Sequence, residues 1–200
     1  LPDGEYTYTV KAKGYAKVSD TLTVSKNAAV SVTLIPSTAW DGTTNTQPAG
    51  DGTQASPYEI EDGEQLAWLA DKVNNSTSVT KLYAELTDDI DLGGNPFTPI
   101  GTQSGYSSVY PYQGSFDGQG HTVTGLNVSA QYAGLFGVIQ DAKIKNVIVQ
   151  GTVTSSSGDA GGIVGRAIGT ANTITNCGNE ANVSGGSYVG GILGNSQNYN

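Results

Sequence analysis

Three short stretches at the start of the chain alternate apolar and polar positions with period two. Tyr6, Tyr8 and Val10 alternate with Glu5, Thr7, Thr9 and Lys11; Val18, Leu22 and Val24 lie among Asp20, Thr21 and Thr23; Val30, Val32 and Leu34 flank Ser31 and Thr33. Such alternation, broken at Lys13-Gly14 and Lys26-Asn27, predicts three strands. Three strands bury one face only, and a sandwich needs a second sheet. Residues 1–36 are therefore expected to be a partial β-sandwich whose earlier strands lie upstream. Residues 37–57 are rich in Ser, Thr, Gly, Pro and Asn, which predicts a linker or extended wrap. Trp40 stands out there; docking onto a neighbouring surface is the preferred reading, ligand contact the alternative.

Residues 62–74 carry the one helical period. Leu66, Leu69, Ala70 and Val73 form an apolar stripe, and Asp62 with Gln65 three residues later makes a capping-box-like start. A helix placed before a run of strands can cover the open end of a stacked sheet.

From Lys81 the pattern is all β and punctuated by glycine. Gly134-Leu135-Phe136-Gly137, Gly162-Ile163-Val164-Gly165 and Gly191-Ile192-Leu193-Gly194 share the order Gly-apolar-apolar-Gly. Ile144-Lys145-Asn146-Val147 returns as Ile174-Thr175-Asn176-Cys177, and Val153 returns as Val183. Repetition at about 30 residues marks a solenoid or propeller. Short strands without a helix-length segment favour a parallel β-helix in which apolar residues of each coil stack on the coil before. Its hand is expected to be right, the rule for parallel crossovers. Asn146 and Asn176 should form an amide ladder. Cys177, at the Val147 position, reads as a small buried apolar residue rather than a nucleophile.

Composition narrows the setting. Charged residues are 14% of the 200, and 9 basic against 18 acidic side chains leave a net charge of −9. That balance opposes nucleic acid or an anionic membrane surface as partner. One Cys and one His exclude disulfides within the chain and His-pair zinc chemistry. No apolar run approaches a membrane span.

Leu1 to Tyr15, with Pro2-Asp3-Gly4-Glu5-Tyr6 at its head, resembles the closing part of carboxypeptidase-regulatory-like and PEGA-type sandwiches. The segments Tyr132-Ala133-Gly134-Leu135-Phe136-Gly137, Asp159 to Gly165 and Tyr188 to Gly194 resemble GLUG motifs, with Phe116-Asp117-Gly118-Gln119-Gly120 as the lead-in. GLUG repeats occur in large secreted or surface-bound bacterial proteins, including adhesin-like chains and the non-catalytic part of immunoglobulin-A peptidases. The resemblance covers roughly 58–200 and implies an extracellular setting at the cell surface. It carries no proteolysis here, since the zinc-protease signature of those peptidases is absent.

The expected architecture is all-β: a right-handed parallel β-helix over 58–200 with one capping helix, after a partial sandwich (1–36) and a linker (37–57). The chain is expected to continue into further domains. The aromatic segment Tyr106 to Tyr112 is the preferred ligand site, through Tyr106, Tyr110 and Tyr112, with Trp40 second; exposed rings stack on sugars, although these could instead pack on the solenoid wall. Asp88, Asp89 and Asp91, near Asn95 and Asp117, could hold Ca²⁺, although solvated turn carboxylates are the preferred reading. No other cofactor is expected. His121 reads as a turn histidine. The pairs Thr152/Thr154 and Thr173/Thr175 are too short for a regular-surface binder. Three functions follow in order: a non-enzymatic adhesion module for a glycan or host matrix protein, a passive stalk, and a carbohydrate-active β-helix enzyme acting through Asp89, Asp91 or Asp117.

Overall fold

The computed structural model describes residues 1–10, 12, 15, 18–26, 29–34, 38–76, 81–104 and 108–197. It divides into two units, Leu1–Thr38 and Ala39–Asn200.

The first unit is a hairpin of β1 (Gly4–Val10) and β2 (Val18–Val24), antiparallel with Tyr6 opposite Leu22 and Val10 opposite Val18. The expected third strand is not formed: residues 29–34 have no regular structure, and Val30 and Leu34 are 42% and 37% exposed. Alternation specifies which side of a strand is apolar, but it supplies neither an edge to pair with nor a second sheet to bury against. The predicted partial sandwich is thus a two-stranded hairpin among the described residues.

The second unit begins with residues 39–57, which pack with the solenoid rather than linking to it. It continues with β3 (Tyr58–Ile60), α1 (Gly63–Asn74), β4 (Leu82–Leu86), β5 (Ile90–Asp91), β6 (Thr102–Ser104), β7 (Ser108–Tyr110), β8 (Gly114–Asp117), β9 (Thr122–Ser129) and β10 (Phe136–Gln140). Two fuller coils follow: β11 (Lys143–Lys145), β12 (Ile148–Ser155), β13 (Ala160–Gly161) and β14 (Val164–Ile168), then β15 (Thr173–Thr175), β16 (Gly178–Asn179), β17 (Asn182–Gly185), β18 (Val189–Gly190) and β19 (Leu193–Gln197).

These strands stack as a parallel β-solenoid with three main faces. Sheet A runs β3-β4-β8-β11-β15, sheet B runs β5-β9-β12-β16 with β17 also on β12, and sheet C runs β10-β14-β19. All pairs in the three sheets are parallel. The register places like on like: Ala84, Phe116, Ile144 and Ile174 form one column, Val128, Val153 and Val183 another, Phe136, Val164 and Leu193 a third. A coil this thin cannot bury its own face, so each column is a shared core.

The terminal glycines of the repeated segments have a packing reason. A Cβ on Gly194 would lie 2.6 Å from the Gly165 carbonyl oxygen, and one on Gly165 would lie 2.9 Å from that of Gly137. Backbones of successive coils pass where side chains would be. On the neighbouring bend, Asn146 and Asn176 adopt left-handed φ of 57° and 52°, a conformation Asn tolerates. The predicted ladder is present: Asn176 Nδ2 donates to Asn146 Oδ1 (3.2 Å), and Asn146 Nδ2 donates to Asp117 Oδ1 (2.8 Å). Cys177 falls at the Val147 register but is only half-buried, and that burial raises its thiol pKa.

The helix closes the first end. Asp62 accepts from the Gln65 amide at 2.9 Å, and Leu66, Leu69, Ala70 and Val73 are buried in the main core. The helix begins with Gly63 against Trp40 and the Asp91 carbonyl, and ends where Asn74 bonds Pro99 and Gly101. It therefore spans the second coil from β5 to the approach of sheet C. Residues 40–46 strap it down: Thr46 bonds Glu64 through both backbone and side chain, and Asn45 donates to Asp71.

Candidate functional site

The antiparallel hairpin β6–β7 is an insertion in a parallel framework, with Thr102 opposite Tyr110 and Gln103 opposite Val109. Its base is fastened to β10. The Val138 amide donates to Gly101 O (3.0 Å), the Tyr112 amide donates to Val138 O (2.9 Å), and the Gln140 amide donates to Tyr112 O (3.0 Å). Residues 101 and 112 thus occupy adjacent places on one strand, and β6 and β7 form an outgrowth from it. Val109 packs against Tyr132, Val138 and Ile168, a small apolar cluster separate from the main core.

The four ring candidates fare differently. Tyr110 is 38% exposed. Tyr106 lies outside the described residues. Tyr112 is fully buried, with its ring 5.2 Å from Phe136 and its hydroxyl 2.8 Å and 2.9 Å from the Leu82 and Ser115 carbonyl oxygens. Burial, reinforced by Tyr83, raises its phenol pKa. A ring without an open face cannot stack on a sugar, so Tyr112 is an anchor and not a ligand platform. Trp40 follows its preferred reading, docked rather than open to a ligand: it is 7% exposed, lies edge-on to Phe97, and its Nε1 donates to Thr44 O at 2.7 Å. Period-two alternation within a loop does not reveal which tyrosines turn inward.

The proposed calcium ligands do not converge. Asp88 Oδ1 accepts from the Asp89 amide, Asp89 Oδ1 from the Thr122 amide (3.0 Å), and Asp91 Oδ1 from the Gly93 amide (2.8 Å). Asp88 and Asp91 each fasten their own bend, whereas Asp89 reaches across to the next coil at Thr122. Among the described residues no three His, Cys, Asp or Glu side chains are grouped to hold a metal ion. The three carboxylates thus act as backbone acceptors, in line with the preferred reading of Asp88, Asp89 and Asp91 as turn carboxylates, and they do not share a centre for the alternative Ca²⁺. His121 Nδ1 lies 3.3 Å from Asp89 Oδ1. Asp117 is held by Lys145 Nζ at 2.6 Å. Burial works to raise its pKa, but hydrogen bonds from Lys145, Asn146 and Gln119 outweigh it and lower the carboxyl below its usual range.

One group was not anticipated from the sequence. Asp159 is buried, accepts from Arg166 Nε at 2.6 Å and from Asn195 Nδ2 at 3.2 Å, and Arg166 lies 4.1 Å above the Tyr132 ring. Tyr132 also belongs to the cluster that receives Val109, so the ion pair underlies the seat of the hairpin. The available signal was Asp159 standing before Ala160-Gly161, where the other repeats have Tyr132 and Tyr188. The two Thr pairs lie on different faces. Thr152 and Thr154 align with Asn182 and Ser184 in sheet B, whereas Thr173 and Thr175 align with Lys143 and Lys145 in sheet A.

No protein-family model matches the chain. It is 33% identical over 205 residues to halomucin of Haloquadratum walsbyi, a match covering 96% of this chain and 2% of halomucin. It is 30% identical over 139 residues to a protein described as Gly-rich and of the membrane from Evansella cellulosilytica, covering 63% of this chain and 15% of that one. The chain thus spans a small fraction of both relatives. A crystal structure from Bacteroides ovatus, named for an immunoglobulin A1 protease, aligns over 74% of this chain and 64% of that one, with a TM-score of 0.42 and 22% identity. A likeness that weak carries nothing about activity. Among the described residues no helix is long and apolar enough to cross a membrane.

Proposed function

We propose that this chain is a non-enzymatic adhesion module of a GLUG-type, extracellular surface protein, and that it binds a neutral glycan or a matrix protein through the β6–β7 hairpin. The observation that carries the reading is the hairpin itself: an antiparallel outgrowth fastened to β10 at its base, seated by Val109, and presenting Tyr110. A rigidly based loop with an exposed phenol offers an apolar ring face and a polar tip, the combination that stacks on sugars without charge. Low charge and the similarity to halomucin support the surface setting. The carboxylates of Asp88, Asp89 and Asp91 accept from three different backbone amides, which supports a non-catalytic reading.

A stalk is the second reading, favoured by the unbroken register of columns across sheets A and C. Binding of residues 1–200 to glycan and extracellular-matrix panels separates the two. Adhesion predicts saturable binding that Tyr110→Ala weakens at least about tenfold, roughly 1.4 kcal/mol, with the melting curve unchanged. Saturable binding indifferent to Tyr110→Ala moves the site elsewhere; no binding at all supports the stalk.

A further inference from the structure

The two glycines Gly162 and Gly191 occupy equivalent places, between the paired residues Ala160 and Val189 on one side and Val164 and Leu193 on the other. Neither has a left-handed backbone. At Gly162 the reason for glycine lies in the following coil: a Cβ would sit 2.1 Å from Asn179 Oδ1 and 2.6 Å from Gly191 O. At Gly191 a Cβ would meet nothing within 4 Å. Among the described glycines of the solenoid unit, Gly191 is the one with no left-handed φ whose Cβ would meet nothing within 4 Å.

The hydrogen-bond row through this place has a direction. The Leu135 amide donates to Gly162 O, and the Gly162 amide donates to Gly191 O. The next acceptor in that row would belong to a sixth coil. Burial steps down at the same level. Ile144, Val147, Val153, Ile163 and Val164 are fully buried, while their fifth-coil counterparts Ile174, Cys177, Val183, Ile192 and Leu193 are only partly so. Tyr188 and Val189 are 61% and 49% exposed.

The geometry points to the outer face of the fifth coil as a docking edge for one more coil of the same repeat, running parallel to β15, β17 and β19. Its backbone would occupy the space that Gly191 leaves free, as the fifth coil does over Gly162. The partner is identified by its chemistry: an extended strand offering a carbonyl oxygen in register with the Gly191 amide, and apolar residues in the columns of Ile174, Val183 and Leu193. This inference is independent of the hairpin's ligand.

The test compares two chains. One is residues 1–200; the other repeats residues 169–197 directly after Gln197, which preserves the register of Ile168 on Gln197. Gly162→Ala should lower the melting temperature of both. Gly191→Ala should leave the 200-residue chain as stable as before or slightly more so, because alanine restricts the unfolded chain, and should lower only the extended chain. Amide exchange at Leu193–Gln197 should slow at least about tenfold on extension, and Gly191→Ala should remove that gain. The inference is overturned if Gly191→Ala harms the 200-residue chain as Gly162→Ala does, or if extension gives no protection. A concentration-dependent dimer of the 200-residue chain, lost in Gly191→Ala, would overturn it in favour of a second copy as occupant.

Discussion

The outer faces of the second and fifth coils pose the same physical problem and are covered differently. At the β3 end, α1 lays Leu66, Leu69, Ala70 and Val73 over the second coil, and the strap at residues 40–46 holds the helix in place. At the β19 end, the edge strands of all three sheets carry partly buried side chains from the same columns that are sealed one coil earlier. A strand edge is a template for pairing until something covers it. The contrast teaches that the repeat supplies stacking, while the cover over the second coil comes from outside the repeat. Closure came from a segment with a different period, 3.6 rather than two.

The largest effect that could break this comparison is in the core columns. Leu69→Ala removes a fully buried side chain from the helix and should cost about 2–5 kcal/mol. Ile174→Ala, partly buried in the outermost coil, should cost at most about half of that, because less of the side chain leaves water. Urea denaturation of both variants checks the ratio. Equal losses would mean that the two ends are equally sealed.

A smaller effect tests how the closed end is started. Asp62 is the acceptor for the Gln65 amide, and Asp62→Ala should cost about 1 kcal/mol. Thermal unfolding with exchange at α1 should show fraying confined to the helix start, with protection of β14 unchanged.

The smallest effect is a difference in sign with pH. At Asp62, burial raises the carboxyl pKa, against the Gln65 amide and with help from Glu64 and Glu61. The folded protein then holds a proton that the unfolded chain releases, so stability falls as pH rises from 3.8 through the raised value. Asp117, on the ladder that runs towards the open end, has a lowered pKa. Its contribution is complete above 3.8 and is lost as pH falls through the folded value. Melting curves from about pH 2 to 6 should lose the first slope in Asp62→Asn and the second in Asp117→Asn.

Much of the architecture was legible from local pattern. The spacing of Ile144 and Ile174 announced their stacking, and Asn146 with Asn176 announced the ladder. The capping pair Asp62 and Gln65 and the stripe from Leu66 to Val73 located the helix. The candidate site was less legible. Tyr110 and Tyr112 are two residues apart, yet one is exposed and the other is among the most buried side chains. The choice depends on where Gly101 and Tyr112 meet β10, a contact between residues distant in sequence. Asp88, Asp89 and Asp91 read as a cluster because they are close along the chain, but bends at successive residues send their oxygens to different amides.

By itself the sequence determined what repeats: period-two strands, glycines where backbones pass, asparagines at the left-handed bends, and one amphipathic helix. These are local properties, because the side chain that satisfies each requirement sits at a fixed interval from its counterpart. Only the tertiary structure decided which side chains found a partner. It buried Trp40 at the start of the strap, joined Asp159 to Arg166 beneath Tyr132, and left Val30 and Leu34 without a sheet. Burial and pairing are properties of what lies opposite, and what lies opposite is set by register across coils rather than by neighbours along the chain.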